Sequence, residues 1–207
     1  MLEWTEHAIV ESGIDAPRLL TTDSDSIAEA GRSLGWLTPF VRPAHLATDE
    51  ATTLMTVLHA VDWLANDRDG YPELTMLLQV TSPLRGGSCI KESIALLAED
   101  SNTDAVVAMR DLHRTTSTIF MEREDGIAAP IVGDATGSGE VESGRSNRIL
   151  TPNGALYLTR TAVLREYKTF FPPRTRPLVM DNMSSVDIDT DMDMRLAEAI
   201  LAARQTS

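Results

Sequence analysis

Apolar and polar positions alternate along the chain between two periods. Leu54, Val57, Leu58, Val61 and Leu64 recur at three- and four-residue steps, which predicts a helix from about Asp49 to Ala65 with one buried face. Ile90, Ile94 and Leu97 predict another from Ser88 to about Glu99, with Ser88 as its N-cap. Residues 2–12 read as a helix stopped at Gly13. Thr22-Asp23-Ser24 caps a helix over 25–34, with Gly35 just past its end. Between these lie extended stretches. Arg18 to Thr22 is a short strand, and Phe40-Val41-Arg42-Pro43 is extended because the residue before proline avoids the helical region. Leu74 to Val80 and Ala105 to Met109 are nearly continuous apolar runs, the pattern of strands buried on both faces. Ile119 to Glu122 and Ala155 to Thr159 add further strands, and Gly126 to Ser146 reads as a long surface loop. Strands alternating with helices imply an α/β fold: a mostly parallel sheet with flanking helices, in a single domain spanning 1–207.

Candidate chemistry gathers near the C-terminus, in Val186-Asp187-Ile188-Asp189-Thr190. In an extended segment residues two apart point the same way, so Asp187 and Asp189 would aim two carboxylates at one place. Hard oxygen donors of this kind suit Mg²⁺, which completes its shell with waters and substrate phosphates. The same aspartates with Asp191, Asp193 and Glu198 imitate a calcium loop, but the glycine such a loop needs at its sixth position is Met192. Thr190 with Asp193 reads instead as a capping box opening a helix whose apolar stripe is Met192, Leu196, Ala199, Ile200 and Ala203. Asp191 and Asp193 are then first-turn charges on the helix dipole.

Composition narrows the partners. A net charge of −13 argues against DNA or RNA. A small anionic substrate needs only a few arginines, and Arg42, Arg85, Arg174 and Arg176 sit beside turns, although solvated surface is the commoner fate of each. No apolar run approaches the ~18 residues of a membrane span, and no signal peptide opens the chain. Cys89 is the only cysteine, which excludes an internal disulfide or a cysteine-rich zinc site and suits a cytoplasmic setting. The histidines show no metal-ligand spacing, and no Gly-x-Gly-x-x-Gly follows a strand, which disfavours a nicotinamide oxidoreductase.

Five segments, taken in order, carry a resemblance. They are Thr21 to Glu29 (TTDSDSIAE), Phe40 to Asp49 (FVRPAHLATD), Leu78 to Arg85 (LQVTSPLR), Pro152 to Tyr157 (PNGALY) and Ser185 to Thr190 (SVDIDT). Together they resemble the acylneuraminate cytidylyltransferases, the CMP-sialic acid synthetases, over nearly the whole chain except residues 123–150. The resemblance implies a Rossmann-like nucleotidyltransferase fold and a reaction between CTP and a nonulosonic acid of sialic or legionaminic type, giving a CMP-sugar and pyrophosphate. It implies Mg²⁺ on Asp187 and Asp189 as the catalytic pair, nucleotide contacts from Arg42 and Thr53, and sugar contacts from Gln79, Asn153 and Tyr157. Phe170 and Phe171 match the apolar patch that receives the N-acyl group. A homodimer is implied as well, with residues 110–150 serving as a flap or dimerisation insertion. Without the resemblance, Tyr157, Phe170 and Phe171 read as plain core, Gln79 as a strand-end polar residue and Thr53 as a helix-surface threonine.

The chain also departs from that pattern. Leu150 and Thr151 stand where the family has an aromatic residue and an arginine, and the resemblance leaves Arg145 and Arg148 as alternative candidates for the family's sugar-side arginine. The family's first strand and its Arg-x-Gly-Ser-Lys-Gly phosphate loop are not found ahead of Leu2, so a gap or an exposed edge in the sheet is expected. Arg85-Gly86-Gly87-Ser88 imitates that loop but lies in the wrong register to replace it. The alternative is therefore an N-terminally truncated, catalytically inactive homologue acting as a binding or assembly module. A keto-sugar acid cytidylyltransferase of the lipopolysaccharide type is a further reading, disfavoured by the Asp-Ile-Asp-Thr ending.

Overall fold

The structure, a computed structural model, describes residues 1–131 and 148–205. The described residues form six α-helices, α1 (Leu2–Ser12), α2 (Asp25–Ser33), α3 (Thr53–Asp67), α4 (Gly87–Glu99), α5 (Thr161–Tyr167) and α6 (Asp191–Gln205), and six strands. The strands are β1 (Leu74–Leu77), β2 (Ala105–Asp111), β3 (Phe120–Glu122), β4 (Ala128–Pro130), β5 (Leu150–Arg160) and β6 (Thr175–Met180). The main sheet has the order β1-β5-β2-β6, and β3 and β4 form a separate hairpin. β2 and β6 pair in parallel, whereas β5 is antiparallel to both β1 and β2. The expectation of a mostly parallel sheet is thus met only in part. β1, β2 and β6 share one direction, and β5 reverses between them.

Alternation along the strands sorts the core into layers. Val106, Ala108, Leu156, Leu158 and Leu178 face Ala8 of α1 and Cys89, Ile90 and Leu97 of α4. On the opposite face, Leu77 and Phe170 pack with Val57 and Val61 of α3 and Leu164 of α5. A third cluster joins Leu84, Val186 and Ile188 to Ala197, Ile200 and Leu201 of α6.

Several predicted elements shift. Arg18 to Thr22 forms no strand; Leu19 makes only an isolated parallel bridge with Leu37. Helix α3 begins at Thr53, four residues after the expected start, because the Thr52 hydroxyl accepts from the Met55 N–H and caps it there. β1 ends at Leu77 instead of Val80 and is half-buried throughout, as the outermost strand of the described sheet. The N-cap of α4 is Gly86, not Ser88. The Gly87 N–H donates instead to the Glu11 carboxylate at 2.7 Å, which places a negative charge at the helix start. A Cβ on Gly87 would meet the backbone of α1 at 2.5 Å (Ser12 N) and 2.8 Å (Ala8 O), so α1 and α4 touch backbone to backbone here.

The face of α6 is rotated from the expected stripe. Ala197 is its buried residue, whereas Met192 and Leu196 are exposed. Strand β6 contains Pro177, tolerated because β6 lies at the sheet edge. Of the expected loop 126–146, residues 128–130 form β4, and 132–147, with Arg145, lie outside the described residues.

Candidate active site

Open α/β sheets bind ligands beyond the carboxyl ends of their strands. Here the chain leaves β1 and turns at Gln79–Ser82, where the Ser82 N–H donates to the Gln79 carbonyl. The segment after β6 returns alongside this turn, fixed by one backbone bond from Ile188 N–H to the Thr81 carbonyl at 2.8 Å. Val186 and Ile188 are drawn into the α6 cluster. Asp187, between them, points the other way, and its Oδ1 accepts from the Ser82 hydroxyl at 3.3 Å.

Strand β5 meets these groups through an irregularity. Its register with β2 runs from Val107↔Tyr157 directly to Met109↔Pro152, so Asn153 to Leu156 bulge out opposite Ala108. Gly154 sits in the bulge with φ of 77°. A Cβ there would lie 2.5 Å from Asp187 Oδ2 and 3.1 Å from Gln79 Oε1. The missing side chain is therefore what lets the Asp187 carboxylate and the Gln79 amide close on bare backbone. Asn-Gly in a sequence usually announces a hairpin turn; here it marks a bulge.

Asn153 does not line an open wall. It is 5% exposed, its Oδ1 accepts from the Ala155 N–H, and its Nδ2 donates to the Ser185 hydroxyl at 2.9 Å. Ser185 in turn donates to the Asp181 carbonyl. Asn153 thus staples the bulge to the turn that precedes Asp187.

Tyr157 is half-buried, with its ring 5.1 Å from Phe170 and 6.1 Å from Phe171. Burial and, second, the nearby Asp187 charge push its phenol pKa up, so Tyr157 remains a neutral donor. Phe171 is exposed beside it. Gln79, Ser82, Gly154, Tyr157, Phe170, Phe171 and Asp187 thus form one neighbourhood at the β1 terminus.

The other candidates sit differently. Asp189 is exposed, and its N–H donates to Asp193. The Thr190–Asp193 capping box is formed reciprocally, with Thr190 N–H and hydroxyl donating to Asp193 and Asp193 N–H donating to the Thr190 hydroxyl. The bonds of Arg42 go to the carbonyl and hydroxyl of Thr21, and Thr53 is exposed in the first turn of α3. No contact among the described residues carries Arg42 or Thr53 into the Gln79–Asp187 group. Arg176 is held at the far end of α4 by the Leu96 carbonyl and Glu99. Arg85 is buried, contrary to the surface reading. Sequence reasoning singled out neither Ser82 nor the bulge. A serine after a strand carries no distinguishing signal.

The donors facing the gap are carboxylate, amide and hydroxyl oxygens. No group of three or more His, Cys, Asp or Glu side chains converges among the described residues. The Asp187 carboxylate, the Gln79 amide and the Ser82 hydroxyl are hard oxygen donors, of a kind that suits Mg²⁺ and not zinc.

No family model matches the chain. Relatives do. It is 25% identical over 199 residues to CMP-N,N'-diacetyllegionaminic acid synthase of Legionella pneumophila, covering 96% of this chain and 83% of that protein. It is 29% identical to an N-acylneuraminate cytidylyltransferase of Streptococcus agalactiae over 93% of its length, and 28% identical to that of Escherichia coli over 97%. The chain spans 45% of each of these two longer proteins. Among solved structures, CMP:2-keto-3-deoxy-manno-octonic acid synthetase complexed with CTP superposes with a TM-score of 0.61 at 14% identity, covering 97% of this chain and 88% of the other. The 4-diphosphocytidyl-2C-methyl-D-erythritol synthase of Anaerococcus prevotii gives 0.62, also at 14% identity and with the same coverage. The fold is that of the cytidylyltransferases, and over nearly its whole length the sequence is homologous to the acylneuraminate and legionaminic acid enzymes.

Proposed function

We propose that this protein transfers CMP from CTP to a nonulosonic acid of the sialic or legionaminic type. One observation carries the reading: the Asp187 carboxylate and the Gln79 amide close on Gly154 beside the Tyr157–Phe170–Phe171 cluster, at the strand ends where this fold binds its ligands. The anomeric hydroxyl oxygen of the acid attacks the α-phosphorus of CTP. The bond from that phosphorus to the bridging oxygen breaks, pyrophosphate leaves, and the hydroxyl proton passes to solvent. Transfer of this kind depends on positioning and on neutralising charge.

The chain divides that work by residue. The Gln79 amide and the Tyr157 hydroxyl orient the hydroxyls of the acid. Phe170 and Phe171 receive its N-acyl group. Arg42 and Thr53 serve the nucleotide side. Asp187 and Asp189 would hold Mg²⁺, which when bound neutralises charge on the phosphate oxygens. No helix of the described residues is long and apolar enough to cross a membrane, and we place the reaction in the cytoplasm.

The test mixes the protein with CTP, Mg²⁺ and either N-acetylneuraminic acid or N,N'-diacetyllegionaminic acid. Pyrophosphate release and a new CMP-sugar are the expected products. Binding of the acid without turnover would replace the enzyme by a binding module, and neither binding nor turnover would overturn the reading altogether.

A further inference from the structure

Arg85 is 3% exposed, and its hydrogen-bond partners are all neutral. Nη1 donates to the carbonyls of Gln79 and Ala155, and Nη2 to the Thr5 hydroxyl at 3.1 Å. Nε is buried without a partner. A buried guanidinium with no carboxylate against it is costly. Burial accordingly lowers its pKa to about 10.

The positions of the two carbonyls show what that cost maintains. β1 and β5 pair from Leu74↔Arg160 to Leu77↔Tyr157. Continued by two residues, the same register sets Gln79 opposite Ala155. The ladder does not continue, because β1 turns away at Gln79 and β5 bulges at Asn153 to Leu156. Where the strands part, one nitrogen of Arg85 grips both backbones. Gln79 carries the amide of the site, and Ala155 follows Gly154, on which that amide and Asp187 close.

We propose that Arg85 is a positioning residue that replaces the missing rungs of the sheet and fixes the Gln79 amide relative to Gly154 for recognition of the acceptor acid. The proposal rests on the function given above. It concerns the acceptor side alone, because the Arg85 bonds reach no nucleotide-side residue.

The test compares wild type, Arg85→Lys and Thr5→Val. Lysine keeps the charge but loses the planar fork that spans two carbonyls and a hydroxyl. Thr5→Val removes one bond from the same guanidinium and leaves both carbonyls gripped. R85K is expected to raise KM for the sugar acid roughly tenfold, short of the ~10²-fold that a 1 Å misplacement costs, with KM for CTP changed less than about twofold. T5V is expected to lower Tm and leave both KM values in place. Equal rises in the two KM values, or the same rise in T5V, would reduce Arg85 to general stability and overturn the proposal.

Amide hydrogen exchange separates this question from that of the enzyme's function. R85K should accelerate exchange at Ser82 and Ala155 and not in α3. A wild type that never turns over CTP, with such acceleration in R85K, loses the enzyme reading and keeps the Arg85 one. Unchanged exchange overturns the Arg85 one. Should R85K fail to fold, the wild type still carries the test. Its Arg85 Nη–H resonances must exchange slowly and must shift when the sugar acid is added. Resonances that average with solvent, or that ignore the acid, overturn the assignment.

Discussion

Gly154 and Asp187 set the scale at which the site is built. Gly154→Ala places a methyl 2.5 Å from Asp187 Oδ2 on a backbone at φ 77°. Left-handed backbone costs a non-glycine residue about 1–2 kcal/mol, and the displaced carboxylate adds a functional loss. The unfolding free energy should fall by that amount and the Mg²⁺ concentration needed for turnover should rise. Asp189→Asn should lower turnover by roughly 10²-fold or more, in the range of a lost electrostatic stabiliser, with the circular dichroism spectrum unchanged. Retained activity with unaltered Mg²⁺ dependence would remove Asp189 from the site. Cys89 makes a pH prediction. Burial, with Glu92 also raising and Arg85 opposing, lifts its thiol from 9.0 to about 11. A folded pKa above the unfolded one gives stability that is complete below pH 9 and is lost as pH rises toward 11, up to about 2–3 kcal/mol. The slope of stability between those values should flatten in Cys89→Ala, measured by urea denaturation at each pH. At this scale the sequence exposes residue types and spacing. Asp187 is legible because Val186 and Ile188 on either side are apolar and it is not. Arg85 is illegible, because burial beneath α1 depends on Thr5, eighty residues away.

Among the elements, α4 shows how a helix start can be settled by a neighbour. Ser88 looks like a cap, yet Glu11 of α1 occupies the position. Gly87→Ala would force its methyl against α1 backbone at 2.5–2.8 Å. Backbone cannot swing aside as a side chain does, so the change should cost about 2–4 kcal/mol, at the upper end for single substitutions. A smaller loss in Tm than in a surface Gly→Ala control would show that the helices separate freely. Helices α1 and α2 were readable because Gly13, Ser24 and Gly35 punctuate the periodicity. Strand β6 was not, because Pro177 in a short segment rich in Arg and Pro argues for a turn unless the strand is known to lie at an edge. Helical periodicity locates α6 but not its buried face. Ala197 meets Leu84 and Val186, contacts that helical periodicity does not contain.

The whole molecule presents two features beyond the site. It carries a net charge of −13, and its β3–β4 hairpin holds Phe120, Met121, Ile127 and Ile131, each more than half exposed. We propose that the hairpin docks on a second copy of the chain. Phe120→Asp with Met121→Lys should convert a dimer to a monomer in sedimentation equilibrium while leaving the monomer folded. An unchanged mass would remove the hairpin from the interface. Fold class was legible from the alternation of elements, and the reversed strand was not, because β5 reads as an ordinary apolar run until its partners are known.

That reversed strand governs how the molecule is made. β1 and β2 never pair with each other; both wait for β5, and β6 joins through β2. During synthesis, a nascent chain that has released residues up to Asp111 therefore holds two apolar strands with no rungs between them. Only when Arg160 clears the ribosome does the main sheet have a centre to assemble on. Such non-local pairing is slow and leaves sticky segments bare. Ribosome-stalled chains ending before Leu150 should remain sensitive to protease and bound to chaperones, and those extending well past Met180 should acquire resistance in a single step.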